Sequence, residues 1–142
     1  MQEKRILIVE DEEDMLDSIA LKAYFLKYSC VKESTGEWCL VKAKNYIPSV
    51  ILLDLNLPKI SGLDLLTELK RCAETKHIPI IVFSAMHDPR VIDEAMLRGA
   101  STYFTKGGDI DDLFDLIKAY TEDENTEDKT GAEESYAGRY LI

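Results

Sequence analysis

The strongest constraint on the fold comes from four predicted strands that each end in a polar residue. Two of these strands, residues 6–9 and 50–53, are unbroken apolar runs of the kind found in parallel strands covered on both faces. The carboxyl ends of parallel strands open on the same edge of a sheet, so we expect three carboxylates, a hydroxyl and an ammonium to meet in one crevice. In chain order these strand ends are Glu10 with Asp11, Asp54, Ser84 and Lys106.

Segments with helical periodicity alternate with the strands. A weaker strand is predicted at residues 29–33, and helices are predicted near residues 16–26, 37–45, 63–73, 89–98 and 110–120. Five strands that alternate with five helices indicate an α/β fold with right-handed crossovers. The length suits a single doubly wound five-stranded parallel sheet of order 2-1-3-4-5 with helices on both faces. The apolar face of the first helix is predicted to include Leu16, Ile19, Ala20, Ala23 and Leu26.

Composition predicts one folded domain followed by an acidic tail. Of the 142 residues, 46% are hydrophobic and 31% are charged, which is a globular composition. We place the domain at residues 1–120. The tail or linker covers residues 121–142, which contain seven acidic residues and two basic residues. Apolar side chains of the tail that could dock elsewhere are Tyr136, Tyr140, Leu141 and Ile142.

Charge and cysteine usage limit the classes of partner. The formal net charge of −10 at pH 7 argues against direct nucleic-acid binding, which needs a basic surface to displace counterions. No apolar stretch approaches the ~18 residues of a membrane span, and the N-terminus lacks a signal-peptide pattern. The cysteines Cys30, Cys39 and Cys72 lack metal-ligand spacing, so we interpret them as reduced packing residues of a cytoplasmic protein.

The three acids at the strand ends suggest phosphoryl chemistry. A carboxylate at position 54 could act as a nucleophile toward phosphorus, since aspartyl phosphates are an established form of carboxylate catalysis. Glu10 and Asp11 would supply hard oxygen ligands for Mg²⁺, which uses one or two carboxylates together with water and phosphate oxygens. Plainer interpretations stay open at this point: Asp54 as a turn residue, and Glu10 and Asp11 as an acidic first turn that suits a helix dipole.

Lys106 and Ser84 complete the predicted crevice. The ammonium of Lys106 could bind a phosphoryl oxygen and offset its charge, and the hydroxyl of Ser84 could donate a hydrogen bond to a second oxygen. Taken alone, they would be a surface lysine and a loop hydroxyl; their order along the chain favours a shared site. Trp38 is interpreted as a packing residue of the second helix, and His77 and His87 as loop residues.

The chain resembles the receiver domain of two-component response regulators over residues 4–120. The matching segments are Glu10-Asp11, residues 54–62 (Asp-Leu-Asn-Leu-Pro-Lys-Ile-Ser-Gly), Ser84-Ala85, and Gly99-Ala100 through Tyr103 to Lys106. The resemblance implies a CheY-like, flavodoxin-like fold and a phosphoacceptor regulator rather than an enzyme with a separate substrate.

The resemblance also implies residue roles. Asp54 would accept phosphate from a sensor histidine kinase or phosphotransfer protein, and Ser84 and Lys106 would hold the phosphoryl group. Ser84 would then swing toward the phosphate while Tyr103 turns inward, which remodels the face formed by the fourth helix, fifth strand and fifth helix. That face would bind a downstream output protein or domain, or a second copy of the chain. The implied Mg²⁺ ligands are Glu10, Asp11, Asp54 and the backbone carbonyl of Asn56.

Some positions depart from the family pattern. Gly107 follows Lys106 where the family usually has a proline in a cis bond, and the switch hydroxyl is a serine rather than the commoner threonine. Two alternatives therefore remain. One is a receiver-like interaction module that works without phosphate, for which Gly107 is the best support. The other is an aspartate phosphohydrolase, although such enzymes usually need a second acid where Asn56 stands.

Overall fold

The five predicted strands and five predicted helices are all present. A computed structural model describes residues 3–122, so the tail predicted at residues 121–142 lies outside the described part from residue 123 onward. No helix in residues 3–122 has the length and hydrophobicity needed to cross a bilayer. The elements are β1 (Arg5–Val9), α1 (Glu13–Phe25), β2 (Ser29–Glu33), a 3₁₀ turn (Gly36–Trp38), α2 (Cys39–Tyr46), β3 (Val50–Leu53), α3 (Gly62–Arg71), β4 (Ile80–Ser84), α4 (Pro89–Leu97), β5 (Thr102–Thr105) and α5 (Ile110–Thr121).

The strands form one parallel sheet of order β2-β1-β3-β4-β5, as predicted. Helices α1 and α5 pack on one face through Ile19 and Phe114, and α2, α3 and α4 pack on the other through Ala43, Leu66 and Ala95. The central strands are covered on both faces, which explains their unbroken apolar sequences.

Helices α3, α4 and α5 begin at short polar side chains that cap free backbone N–H groups. The Ser61 hydroxyl accepts from the Asp64 N–H at the start of α3, and the Asp88 carboxylate accepts from the Arg90 N–H at the start of α4. The Asp109 carboxylate caps α5 in the same way, by accepting from the Asp111 N–H. These caps set where α3, α4 and α5 leave the carboxyl edge of the sheet.

Two packing predictions are wrong. Leu26 was expected on the buried face of α1, but the helix ends at Phe25 and Leu26 is 49% exposed. Trp38 was expected to pack as part of the second helix, but it lies in the 3₁₀ turn and is 59% exposed. Helix α2 begins only at Cys39, and it is Cys39 that enters the core.

Candidate functional site

The carboxyl edge of the sheet positions the predicted site residues through its own backbone. Beyond the last strand residues, the Glu10 N–H donates to the Glu33 carbonyl at 3.0 Å, and the Asp54 N–H donates to the Val9 carbonyl at 3.0 Å. The Lys106 N–H donates to the Ser84 carbonyl at 2.8 Å. These bonds continue the parallel ladder by one residue, so the side chains at positions 10, 54 and 106 are placed by the rigid sheet.

The three predicted acids come together at this edge. Glu10, Asp11 and Asp54 each offer a carboxylate oxygen, and these oxygens all lie within 4.8 Å of one another. Glu10 is 1% exposed and Asp54 is 3% exposed, whereas Asp11 is open to solvent. The cluster therefore has a buried floor and an accessible mouth, and its hard oxygen donors suit Mg²⁺.

Lys106 is the cation of this cluster. Its Nζ lies 2.5 Å from Glu10 Oε1 and 3.2 Å from Asp54 Oδ2, and the Phe83 ring lies beneath it with a centroid distance of 5.2 Å. The contact with Glu10 has the distance of an ion pair but lacks the directional geometry of a hydrogen bond. Gly107 turns the chain after Lys106 with φ of +100°, and no cis peptide occurs in residues 3–122. Lys106 thus reaches Asp54 without the proline usual in the family.

Two buried carboxylates share this single ammonium, and the shifts in pKa reflect both their burial and these contacts. Burial raises the pKa of Glu10, the ion pair with Lys106 opposes the rise, and the charge of Asp54 adds to it. Burial alone would lower the pKa of Lys106, but its contacts with Glu10 and Asp54 raise it. Lys106 therefore keeps its charge, and it is the one ammonium in contact with both of these acidic side chains.

Asp54 also makes a turn, so the plainer interpretation is confirmed, and this turn is compatible with the predicted role as phosphoacceptor. Its Oδ1 accepts a hydrogen bond from the Asn56 N–H at 3.1 Å, which is an Asx-type turn. This bond ties the start of the loop after β3 to the proposed phosphoacceptor. The metal-binding role of the Asn56 carbonyl stays a prediction.

Ser84 and Tyr103 both contact the backbone of Met86, a connection that sequence reasoning missed. Ser84 Oγ accepts from the Met86 N–H at 3.1 Å, and the Tyr103 hydroxyl donates to the Met86 carbonyl at 2.6 Å. Tyr103 is fully buried, and its hydroxyl donates to the protein backbone rather than to solvent. Burial raises the pKa of Tyr103, with a further contribution from the charge of Asp54. The inward position expected of Tyr103 is already occupied in this structure.

The sequence comparisons agree with this geometry. A family model described as the response regulator receiver domain matches residues 6–118. The transcriptional regulatory protein KdpE of Mycobacterium tuberculosis is 32% identical over 114 residues, which is 80% of this chain and 49% of KdpE. The response regulator ArlR of Staphylococcus aureus is 33% identical over 115 residues, 81% of this chain and 51% of ArlR. The chain thus spans about half the length of these curated relatives.

Solved structures share the fold. A CheY-like receiver domain protein from Methanospirillum hungatei superposes with a TM-score of 0.78 at 25% identity, covering 94% of this chain and 99% of that one. The phosphorylated cyanobacterial phytochrome response regulator RcpA has a TM-score of 0.69 at 28% identity, covering 82% and 90%. The Mn²⁺-bound form of the response regulator Rcp1 has a TM-score of 0.68 at 28% identity, covering 81% and 89%. With its flavodoxin-like sheet, its acidic cluster and its match over residues 6–118, the chain belongs to the response regulator receiver domain family of two-component systems.

Proposed function

We propose that the chain is a phosphorylation switch in which Asp54 accepts a phosphoryl group from the phosphohistidine of a sensor kinase or phosphotransfer protein. The observation that carries the proposal is the buried Asp54 carboxylate, held 3.2 Å from the Lys106 ammonium beside two further acids. The phosphorylated form of RcpA, a relative at 28% identity, supports it. The cytoplasm is the compartment we propose for this exchange.

In the transfer step, an oxygen of Asp54 bonds to phosphorus while the bond from phosphorus to the histidine nitrogen breaks. The electron pair of that bond leaves with the imidazole, which then takes up a proton. The product adds negative charge at Asp54, and the Lys106 ammonium is close enough to bind a phosphoryl oxygen and offset that charge. Neutralisation of the three phosphoryl oxygens, rather than proton transfer, is the main task of such a site.

The acidic cluster fits a magnesium ion. Its oxygens belong to Glu10, Asp11 and Asp54, and we propose that the Asn56 carbonyl joins them. A bound Mg²⁺ would shield the charge of the phosphoryl oxygens during transfer. The Mn²⁺-bound form of the response regulator Rcp1, at 28% identity, supports a divalent cation as a ligand of this fold. The excess of carboxylates over ammonium in the cluster supplies the electrostatic attraction for the cation.

The signal would leave the site through Ser84. Its hydroxyl now accepts from the Met86 N–H, and after phosphorylation it would donate to a phosphoryl oxygen. The Met86 carbonyl also accepts a hydrogen bond from the Tyr103 hydroxyl of β5. A shift of Ser84 would therefore displace β5 and the loop that leads into α4. The face formed by α4, β5 and α5 would then bind an output protein, an output domain or a second copy of the chain in one state more strongly than in the other.

The two alternative functions have less support. A module that works without phosphate predicts Lys106 turned away from the acids, but its ammonium contacts both Glu10 and Asp54. A phosphohydrolase needs a second acid near the nucleophile, and Asn56 supplies an amide there.

The direct test is intact mass after incubation with acetyl phosphate and Mg²⁺. We expect a mass increase of one phosphoryl group in the wild type and no increase in Asp54→Asn. Asp64→Asn, which changes an exposed acid on α3, is the matched control and should be labelled like the wild type. An unlabelled wild type that no sensor kinase can phosphorylate either, or labelling that survives Asp54→Asn, would contradict the proposal.

A further inference from the structure

A second polar cluster lies at the same edge of the sheet and has no part in the transfer step. Glu33 ends β2 and is 6% exposed. Its Oε2 accepts from both the N–H and the hydroxyl of Thr35 at 2.8 Å, and its Oε1 pairs with the Lys42 Nζ of α2 at 2.8 Å. The side chain therefore ties together the end of β2, the following turn and α2.

The turn that Glu33 holds packs against the loop after β3. Gly36 follows Thr35 and is buried, and a Cβ at this position would lie 2.1 Å from Ile60 Cγ2 and 3.5 Å from Leu57 Cδ1. The glycine is needed for space, since its φ is not among the positive values in the described part of the chain. Residues 57 and 60 thus rest directly on the backbone of the turn.

The same loop is confined at its other end. The Gly62 N–H donates to the Leu55 carbonyl at 3.2 Å, and a Cβ on Gly62 would lie 2.4 Å from Leu55 Cα. The loop that runs from Asp54 to Ser61 is therefore held between α3 and the turn at residues 35–36. Its third residue, Asn56, donates the backbone hydrogen bond to Asp54 described above.

We propose that Glu33 is a positioning residue for the Asp54 site: it holds the turn at Thr35 and Gly36, which sets the loop that carries Asn56 beside Asp54. The consequence for phosphorylation rests on the proposed function, whereas the consequence for the loop does not. Residues that orient a metal site from outside its ligands typically change metal affinity by about 10–100-fold when they are replaced.

The sharpest test is a compensating pair. Gly36→Ala places a methyl group against Ile60 Cγ2, and Ile60→Ala removes that atom. We expect Gly36→Ala to weaken Mg²⁺ binding about tenfold and to slow phosphorylation by acetyl phosphate. The double variant should return to the level of Ile60→Ala alone. Mg²⁺ binding can be measured by isothermal titration calorimetry.

Glu33→Gln tests the carboxylate itself, because it keeps an acceptor oxygen and loses the ion pair with Lys42. Asp17→Asn is the matched control, since it breaks an exposed ion pair with Lys32 at 3.1 Å. Glu33→Gln should weaken Mg²⁺ binding while Asp17→Asn leaves it unchanged, both measured where each variant is fully folded.

Hydrogen exchange of the Asn56 amide separates this inference from the proposed function. The amide donates to Asp54, so a displaced loop should exchange it faster whether or not the chain is phosphorylated. Faster exchange of this amide in Gly36→Ala and in Glu33→Gln supports the inference even if phosphorylation fails in the wild type. Adding Ile60→Ala to Gly36→Ala should reverse the faster exchange of that variant. Folded Gly36→Ala and Glu33→Gln with wild-type exchange and wild-type Mg²⁺ affinity would overturn it.

Discussion

Two buried glutamates lie at the carboxyl ends of neighbouring strands, and they differ in the hydrogen-bond donors and charges around them. Glu10 follows β1, Glu33 ends β2, and the two backbones are joined by a hydrogen bond of 3.0 Å. Both side chains are buried, at 1% and 6% exposure. Burial alone would raise the pKa of Glu33, but hydrogen bonds from Lys42 and Thr35 lower it. Burial also raises the pKa of Glu10, and there the nearby Asp54 adds to the rise.

The difference lies in the number of donors that each carboxylate receives. Glu33 has three contacts from donors of its own, from Thr35 and Lys42, and is fully satisfied within the fold. Glu10 accepts one hydrogen bond of its own, from the Glu12 N–H at 3.2 Å, and shares the Lys106 ammonium with Asp54, so its cluster has fewer donors for each carboxylate. A satisfied buried acid stabilises structure, while an undersatisfied one keeps affinity for a ligand from solution. The predictions below test that contrast.

The largest effect is expected for Lys106→Met. It leaves two buried carboxylates without a cation, and breaking a buried pair in this way costs about 3 kcal/mol of the free energy of unfolding. Lys42→Met should cost less, because the Lys42 side chain is 40% exposed and Glu33 keeps its bonds from Thr35. Urea unfolding without Mg²⁺ measures both. Equal costs would mean that the two clusters do not differ as described.

The next largest effect is stabilisation by Mg²⁺. At about 100 times its dissociation constant the ion should add about 2.7 kcal/mol to the free energy of unfolding of the wild type. If Glu33→Gln lowers the affinity about tenfold, the same concentration should add about 1.4 kcal/mol to that variant. Asp54→Asn, which loses a ligand, should gain least. Thermal unfolding with and without Mg²⁺ measures this, and equal gains in all three proteins would contradict the assignment of the site.

A smaller effect is expected when one carboxylate is removed and stability is measured in the absence of Mg²⁺. The change in the free energy of unfolding should have opposite signs at the two clusters. Asp54→Asn relieves repulsion with Glu10 and leaves one acid for one ammonium, so it should stabilise the fold by about 1 kcal/mol. Glu33→Gln removes a satisfied charge and should destabilise the fold by about 1 kcal/mol. Denaturant midpoints at neutral pH give both signs. Destabilisation by Asp54→Asn would show that its turn role outweighs the repulsion.

The smallest effects are expected in the pH dependence of stability. The lowered pKa of Glu33 means that its stabilisation is present above the ordinary glutamate value of about 4.3 and is lost as pH falls through the folded value. The raised pKa of Glu10 means that ionising it in the folded state costs stability once pH rises above about 4.3. The loss of stability in Glu33→Gln relative to the wild type should therefore shrink at acidic pH. Glu10→Gln should gain stability relative to the wild type as the pH rises to neutral. Unfolding curves across that range measure this, and parallel profiles would contradict it.

Much of the fold could be predicted because the relevant patterns are local. Apolar runs, helical spacing and capping residues depend on neighbours in the chain, and they placed β2 and β3 at the observed residues. Leu26 and Trp38 were wrongly predicted to be buried, because exposure at a helix end depends on where neighbouring elements pack. The hydrophobic periodicity of the local sequence does not contain that information. Glu33 carried a usable signal, since it is also an acid at a strand end, but only its donors distinguish it from Glu10.

The sequence alone determined the sheet order and the strand-end residues of the candidate site, because parallel strands with alternating helices bring their carboxyl ends to one edge. Tertiary structure decided the charge balance there: that Lys106 reaches both Glu10 and Asp54 despite Gly107, that Glu33 is satisfied by Lys42 and Thr35, and that Ser84 and Tyr103 meet at Met86. The contacts of Lys106 and Tyr103 join segments far apart in the chain. Their lengths depend on how helices and loops pack against the sheet, and packing is not encoded in any single segment.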